Sequence, residues 1–350
     1  MSRAPLLDSS ELPIARSGEP SGGASRALRH GPYAWGEPVG QGGMAHVHIA
    51  RRIGADDSKR FAAKRILPEH ANKPRFVRMF RAEASISACL DHPNVVRTLD
   101  FGVQDGELVL VMEYVDGVSC AQLLRILARR GQTLPLEGAL YIAREALAGL
   151  DYAHGARNSQ GEPLGIIHRD VSPGNILIAM SGEVKLTDFG VARSSRRPRD
   201  TSPGALKGNF GYMSPEQIAG EEIDVRSDIF SLGVVLFELL TGRPLFRGKS
   251  DFEILARTYE ANIDELSNPG LGLPLALRLV LATALARDRR ERFSSAGELS
   301  EALCRFARHV GARLEGVRLA SWLETLEVSP PRSRPLRFSE TSEIVGFEKG

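Results

Sequence analysis

Cysteine is scarce in this chain of 350 residues: Cys89, Cys120 and Cys304 are all there is, and none stands in a C-x-x-C pair. Their odd number and wide separation exclude a disulfide framework or a structural zinc site and suit a reducing cytoplasm. Long hydrophobic runs are missing too. The nearest, Ile229–Leu240, falls short of the roughly 20 residues a bilayer span needs and carries Glu238, so it reads as a buried core helix. Met1–Gly31 mixes Ser, Gly, Pro and Arg with scattered leucines, which is not the pattern of a signal peptide, and neither export nor a membrane span is expected. Charge of one sign is also lacking: 45 basic against 43 acidic residues leave a net +2, no field that would gather nucleic acid or an anionic surface.

What is present suffices for a sizeable core. With 42% hydrophobic and 25% charged residues the chain is long enough for more than one folding unit. The most informative stretch is Ile167–Gly190. His168-Arg169-Asp170 is followed after four residues by Asn175, then by apolar Ile176-Leu177-Ile178, a Ser181-Gly182 turn, the strand-like Val184–Thr187 and Asp188-Phe189-Gly190. A hairpin of this kind brings Asp170, Asn175 and Asp188 to one end. Asn and Asp oxygens suit hard Mg2+ ions, and a remaining carboxylate can accept a hydroxyl proton.

Upstream, 1–31 has the composition of a flexible leader. From Tyr33 the pattern becomes strand, glycine turn, strand: Gly40-Gln41-Gly42-Gly43 leads into alternating Val47-His48-Ile49-Ala50. Such a turn lets backbone N–H groups approach phosphate oxygens, because no Cβ intervenes. Phe61–Lys64 is a further strand. In Asn72–Leu90, Phe76, Phe80 and Ala84 predict one helical stripe with Glu83 beside it, and strands are expected at Val95–Phe101 and Leu108–Val111. Beyond Ser119 the chain reads as helical: Ala121–Arg129 capped by Ser119, a long helix after Pro135, and segments at Asp251–Ala261, Pro274–Arg287 and Ser295–Val310. The last opens with a capping-box pattern, Ser295-x-x-Glu298. Arg157–Gly165 reads as an exposed loop, Val191–Met213 as an Arg-rich mobile loop, Arg318–Leu326 as a short amphipathic helix and Ser329 onward as a tail of disordered composition.

The H-R-D-x-x-x-x-N and D-F-G patterns, together with Lys64 on its strand and Ser214-Pro215-Glu216, resemble the protein kinase family, in the family's order from about Tyr33 to Val310. The loop H-R-D-V-S-P-G-N and G-Y-M-S-P-E-Q are most similar to bacterial serine/threonine kinases of the eukaryotic-like type. That resemblance implies an α+β, two-lobed fold: an N-lobe of antiparallel sheet and one helix at 32–112, a hinge at 113–117, a mainly helical C-lobe at 118–310, and 311–350 as helix and tail. It implies ATP and Mg2+ as cofactors, with Mn2+ as a substitute, and Ser/Thr-bearing proteins as acceptors.

Residue by residue, the resemblance makes Asp170 the group that orients the acceptor hydroxyl and takes its proton, and Lys64, braced by Glu83, the phosphate-holding lysine. Asn175 and Asp188 become metal ligands. Gly40, Gln41, Gly42, Gly43, Val47, Ala62, Met112, Glu113, Val115 and Leu177 become the nucleotide site. Asp228 anchors the catalytic-loop backbone and Arg292 pairs with Glu216, while Arg169, Ser194, Ser195, Thr201 and Ser202 belong to control by phosphorylation. The sequence departs from the family at Ala45, where a third glycine is usual, at Ser172, where a lysine is usual, and at Asn209, where a threonine is common. Ser172 and Asn209 read as a rebuilt link to Asp170. A nucleotide-binding scaffold without catalysis is the alternative from another class.

Overall fold

The structure is a computed structural model that describes residues 28–41, 44–54, 59–189 and 210–327. Two compact units divide them: 28–84 with 97–114, and 85–96 with 115–327.

The first unit is a five-stranded antiparallel sheet in the order β1-β2-β3-β5-β4. Its strands are β1 (Tyr33–Gln41), β2 (Ala45–Arg52), β3 (Phe61–Ile66), β4 (Thr98–Gln104) and β5 (Glu107–Glu113). Val47 lies opposite Lys64, Lys64 opposite Leu110, and Ala62 opposite both Ile49 and Met112. Because side chains alternate along a strand, Val47, Ile49, Ala62, Lys64, Leu110 and Met112 all share one face. The other face closes a small core of Tyr33, Ala50, Phe61, Ala63, Val109 and Val111.

Two helices belong with this sheet, α1 (Pro68–Ala71) and α2 (Pro74–Ser87). Up to Ala84, where the first unit ends, the buried stripe of α2 is Met79, Phe80, Glu83 and Ala84. Phe80, fully buried near Phe101 with ring centroids 6.2 Å apart, is the main anchor; a side chain of this size contributes about 2 kcal/mol by burial. The expected stripe is therefore corrected at Phe76, which is only half-buried and stacks on His70 at 3.9 Å. The expected strand Val95–Phe101 is also shifted: β4 begins at Thr98, and Val95 bridges Leu186 instead. Residues 28–31, the end of the expected leader, are held in place, with Asp100 accepting the backbone N–H groups of Arg29 and His30 at 3.1 and 2.7 Å.

The second unit is mainly helical: α3 (Cys120–Arg130), α4 (Leu136–His154), α5 (Pro215–Ala219), α6 (Arg226–Thr241), α7 (Asp251–Tyr259), α8 (Leu275–Ala284), α9 (Ala296–His309) and α10 (Gly316–Thr325). Its core forms around α4 and α6. Helix α6 is apolar on every side and its residues from Ser227 to Phe237 are all buried, as expected of a central core helix. Ser119 caps α3 in a full capping box with Gln122. At α9 the box is only half made: Ser295 Oγ accepts the N–H of Glu298, but Glu298 reaches back to Ser294 rather than to the capping residue. Three strands, β6 (Gly117–Ser119), β7 (Ile176–Ala179) and β8 (Val184–Leu186), form a small antiparallel sheet whose first member the sequence did not announce. Arg157–Gly165, read as a plain loop, is closed by an antiparallel bridge between Arg157 and Pro163. Among the described residues no helix is long and apolar enough to cross a membrane.

Candidate active site

In the first unit, β3 projects Lys64 and α2 projects Glu83 toward each other. Nζ and Oε1 stand 2.5 Å apart, and the two residues are 7% and 4% exposed. Burying either charge alone would be strongly unfavourable, and in this pair each charge compensates the other. Val47, Ala62 and Met112 share the Lys64 face of the sheet and flank it in register. Among the described residues a Cβ on Gly40 would meet only Val47 Cβ, at an ordinary 3.7 Å, so their packing does not require glycine there. Gly42 and Gly43 lie outside the described residues, as does the side chain of Gln41.

In the second unit the loop between Ile167 and Ile176 is held from below by Asp228. This carboxylate is fully buried in the first turn of α6. It accepts the backbone N–H of His168 at 2.7 Å, that of Arg169 at 2.8 Å, and Nε2 of His154 at 2.8 Å. Burial would raise its pKa. The hydrogen bond from His154 and the fields of His154 and His168 outweigh that and hold it below the ordinary aspartate value.

Arg169 has φ +67° and Asp188 φ +59°, left-handed conformations in which an L side chain is strained. Burial draws the Arg169 guanidinium below its usual pKa, against the Asp228 carboxylate, which raises it.

Asn175 connects the two halves of the motif. It closes a short 3-10 turn, Pro173–Asn175. Its Nδ2 donates to the carbonyl of Asp170 at 2.8 Å, and its own carbonyl accepts the N–H of Thr187 at 3.0 Å. With the amide nitrogen engaged, the side-chain oxygen remains as donor for a cation. His168 lies against the Phe189 ring at 4.5 Å and reaches the Thr187 carbonyl at 3.1 Å, which fixes the chain on either side of Asp188.

Glu216 and Arg292 form a buried bidentate pair at 2.8 and 2.9 Å, and Ser227 Oγ donates to Glu216 at 2.5 Å. Arg292 spends its remaining donors on the carbonyls of Arg226, Ala286 and Arg287.

Of the remaining candidates, Glu113 ties to Arg97 through both its backbone and its carboxylate, while Val115 and Leu177 belong to the second unit. Ser172 is 1% exposed and its Oγ has no hydrogen-bond partner among the described residues. Asn209, Ser194, Ser195, Thr201 and Ser202 lie outside those residues. Two contributors escaped the sequence reading. His154 looks like an ordinary last-turn helix residue and carried no signal. Gln217 did carry one, since Ser214-x-x-Gln217 is a capping-box pattern.

The family profile described as protein kinase domain matches residues 33–304. The chain belongs to the protein kinase family. It is 37% identical over 275 residues to the tyrosine-protein kinase MasK of Myxococcus xanthus, covering 78% of this chain and 43% of MasK. It is 36% identical over 261 residues to the serine/threonine-protein kinase PrkC of Bacillus subtilis, covering 75% and 38%. Thus it spans less than half the length of these curated relatives. Its fold is similar to the crystal structure of the Mycobacterium tuberculosis PknI kinase domain, with a TM-score of 0.56, 26% identity, and coverage of 82% of this chain and 99% of that one.

Proposed function

We propose that this chain transfers the γ-phosphoryl group of ATP to Ser or Thr hydroxyls of proteins. The observation that carries the reading is the double tie at Asn175, which joins the carbonyl of Asp170 to the N–H of Thr187 beside Asp188. On this reading one hydrogen-bonded frame carries the carboxylate that serves the acceptor hydroxyl and the two oxygen donors that serve a cation. The buried Lys64–Glu83 pair accords with the nucleotide-binding half of the same reading, since it aims an ammonium for phosphate oxygens.

Asn175 and Asp188 fit Mg2+, and Mn2+ in its place, because such ions take oxygen ligands and draw the rest of their shell from phosphate oxygens and water. Bound with ATP, the ion supplies charge neutralisation at the phosphate oxygens. Lys64, its ammonium aimed by Glu83, holds the α- and β-phosphates. Asp170 orients the acceptor hydroxyl and receives its proton. Catalysis of this kind is largely positioning and charge stabilisation.

Serine/threonine rather than tyrosine is favoured by the loop H-R-D-V-S-P-G-N and by G-Y-M-S-P-E-Q, although one relative is named a tyrosine kinase. A cytoplasmic location accords with three free cysteines.

The test is incubation of the purified chain with Mg-ATP, followed by intact mass and phosphoamino-acid analysis. Stepwise gains of phosphate on Ser or Thr are expected, abolished by Asp188→Ala and Lys64→Ala. Phosphate mapped to Thr201, Ser202, Ser194 or Ser195 would assign control to the activation segment. Nucleotide binding with no transfer to itself or to a generic protein would favour the scaffold, and phosphotyrosine alone would reassign the acceptor.

A further inference from the structure

Asp228 fixes the N–H groups of the catalytic loop, but the carbonyl side of Arg169 is fixed from elsewhere. Gln217 Nε2 donates to the Arg169 carbonyl at 2.9 Å, across 48 positions of sequence. The next N–H, that of Asp170, points to Nδ1 of His168 at 3.3 Å. Both polar groups of the peptide joining Arg169 to Asp170 are therefore engaged, directly after a residue in the strained left-handed conformation. The plane of that peptide sets the direction of the Cα–Cβ bond of Asp170. At Ser172, where the family usually places a lysine, the buried hydroxyl contributes no tie among the described residues.

Gln217 does two things with one amide. Its Oε1 accepts the N–H of Ser214 at 2.9 Å and the Ser214 hydroxyl at 3.2 Å, while Ser214 Oγ accepts the Gln217 N–H at 3.4 Å, closing the capping box of α5. The amide nitrogen is left for Arg169. Glutamate could make the cap but would set an acceptor against an acceptor. Lysine could donate but not cap.

We propose that Gln217 is a positioning residue for Asp170: it holds the peptide plane ahead of the carboxylate and couples it to the Ser214-Pro215-Glu216 corner of the activation segment. This rests on the kinase reading above.

The test compares wild type with Gln217→Glu and Gln217→Lys, measuring kcat, KM for ATP, Tm and hydrogen exchange over residues 168–171. The glutamate variant keeps the cap and loses only the Arg169 contact, so its KM should match wild type and its Tm should fall less than that of the lysine variant, while kcat falls roughly tenfold and the loop exchanges faster. The lysine variant should show the opposite split, with a lower Tm but a higher kcat than the glutamate variant. The proposal is overturned if Gln217→Glu keeps kcat within twofold of wild type, or if activity simply follows Tm across the two variants. Wild-type protein that transfers no phosphate would sink the kinase reading and this role together; an active wild type matched by the glutamate variant would sink this role alone.

Discussion

Oδ1 of Asp228 accepts the backbone N–H of Arg169 at 2.8 Å, from 59 positions further along the chain. A single carboxylate at the start of a core helix thus holds the loop that carries Asp170, and its charge is what lets it accept three hydrogen bonds at once. Asp228→Asn keeps the shape but turns an NH2 group toward one of those donors. Given the size of such effects at buried, hydrogen-bonded charges, the loss of stability should be about 3 kcal/mol. Urea unfolding measures it, and a loss below about 1 kcal/mol would mean that the loop is held by something else.

The buried Glu216–Arg292 pair makes a pH prediction. Burial raises the pKa of Glu216, but hydrogen bonds and charge from Arg292, with the Ser227 hydroxyl, bring it below the ordinary glutamate value. A carboxylate depressed on folding contributes stability that is present above its unfolded pKa of about 4.3 and is lost as pH falls through the folded value. The stability gap between wild type and Glu216→Gln should therefore be widest near neutral pH, at about 3 kcal/mol. It should close as the pH is taken below about 4. A gap that stayed constant from pH 7 down to pH 3 would show that Glu216 acts through shape rather than charge.

How legible all this was in the sequence differs from residue to residue, for physical reasons. The β7–β8 hairpin was readable because an apolar run, a Ser-Gly turn and a second apolar run are adjacent, and Gly182 supplies the φ of +88° that the turn needs. The spacing of Asn175 and Asp188 was readable because that hairpin sets it, and Asp170 because a fixed four residues separate it from Asn175, which closes the turn before β7. Strand β6 was not. Its three residues pair with β7 from far away in sequence, and so short a strand has no periodicity of its own. Val95 and Val96 looked like the start of a strand, yet their backbone bonds to Leu186, a long-range choice that local β-propensity cannot express. Phe80 and Ala84 are buried as the helical stripe expects, but which residue joins them is settled by tertiary contact, and Met79 rather than Phe76 is buried.

Residues 311–326 follow the last position matched by the family profile, and their packing supplies the final prediction. Arg144 Nη1 donates to the Leu314 carbonyl at 3.1 Å, Arg318 Nε donates to Glu137 at 3.1 Å, and Leu319 and Leu323 are buried. At the start of α10, Gly316 approaches the turn between β7 and β8 so closely that a Cβ on Gly182 would sit 2.0 Å from the Gly316 carbonyl oxygen. Gly161, in the same unit, has a similar φ of +83° with no described residue within 4 Å of where its Cβ would be. Alanine at Gly161 should therefore reveal the conformational penalty alone, about 1 kcal/mol. Alanine at Gly182 adds a backbone clash that overpacking places at roughly 1–3 kcal/mol more. Urea unfolding of the two variants isolates the difference, because the φ contribution is common to both. Equal losses would mean that α10 does not press on the hairpin that carries Asn175 and Asp188. A clear excess at Gly182 would mean that the segment after the kinase match braces that hairpin.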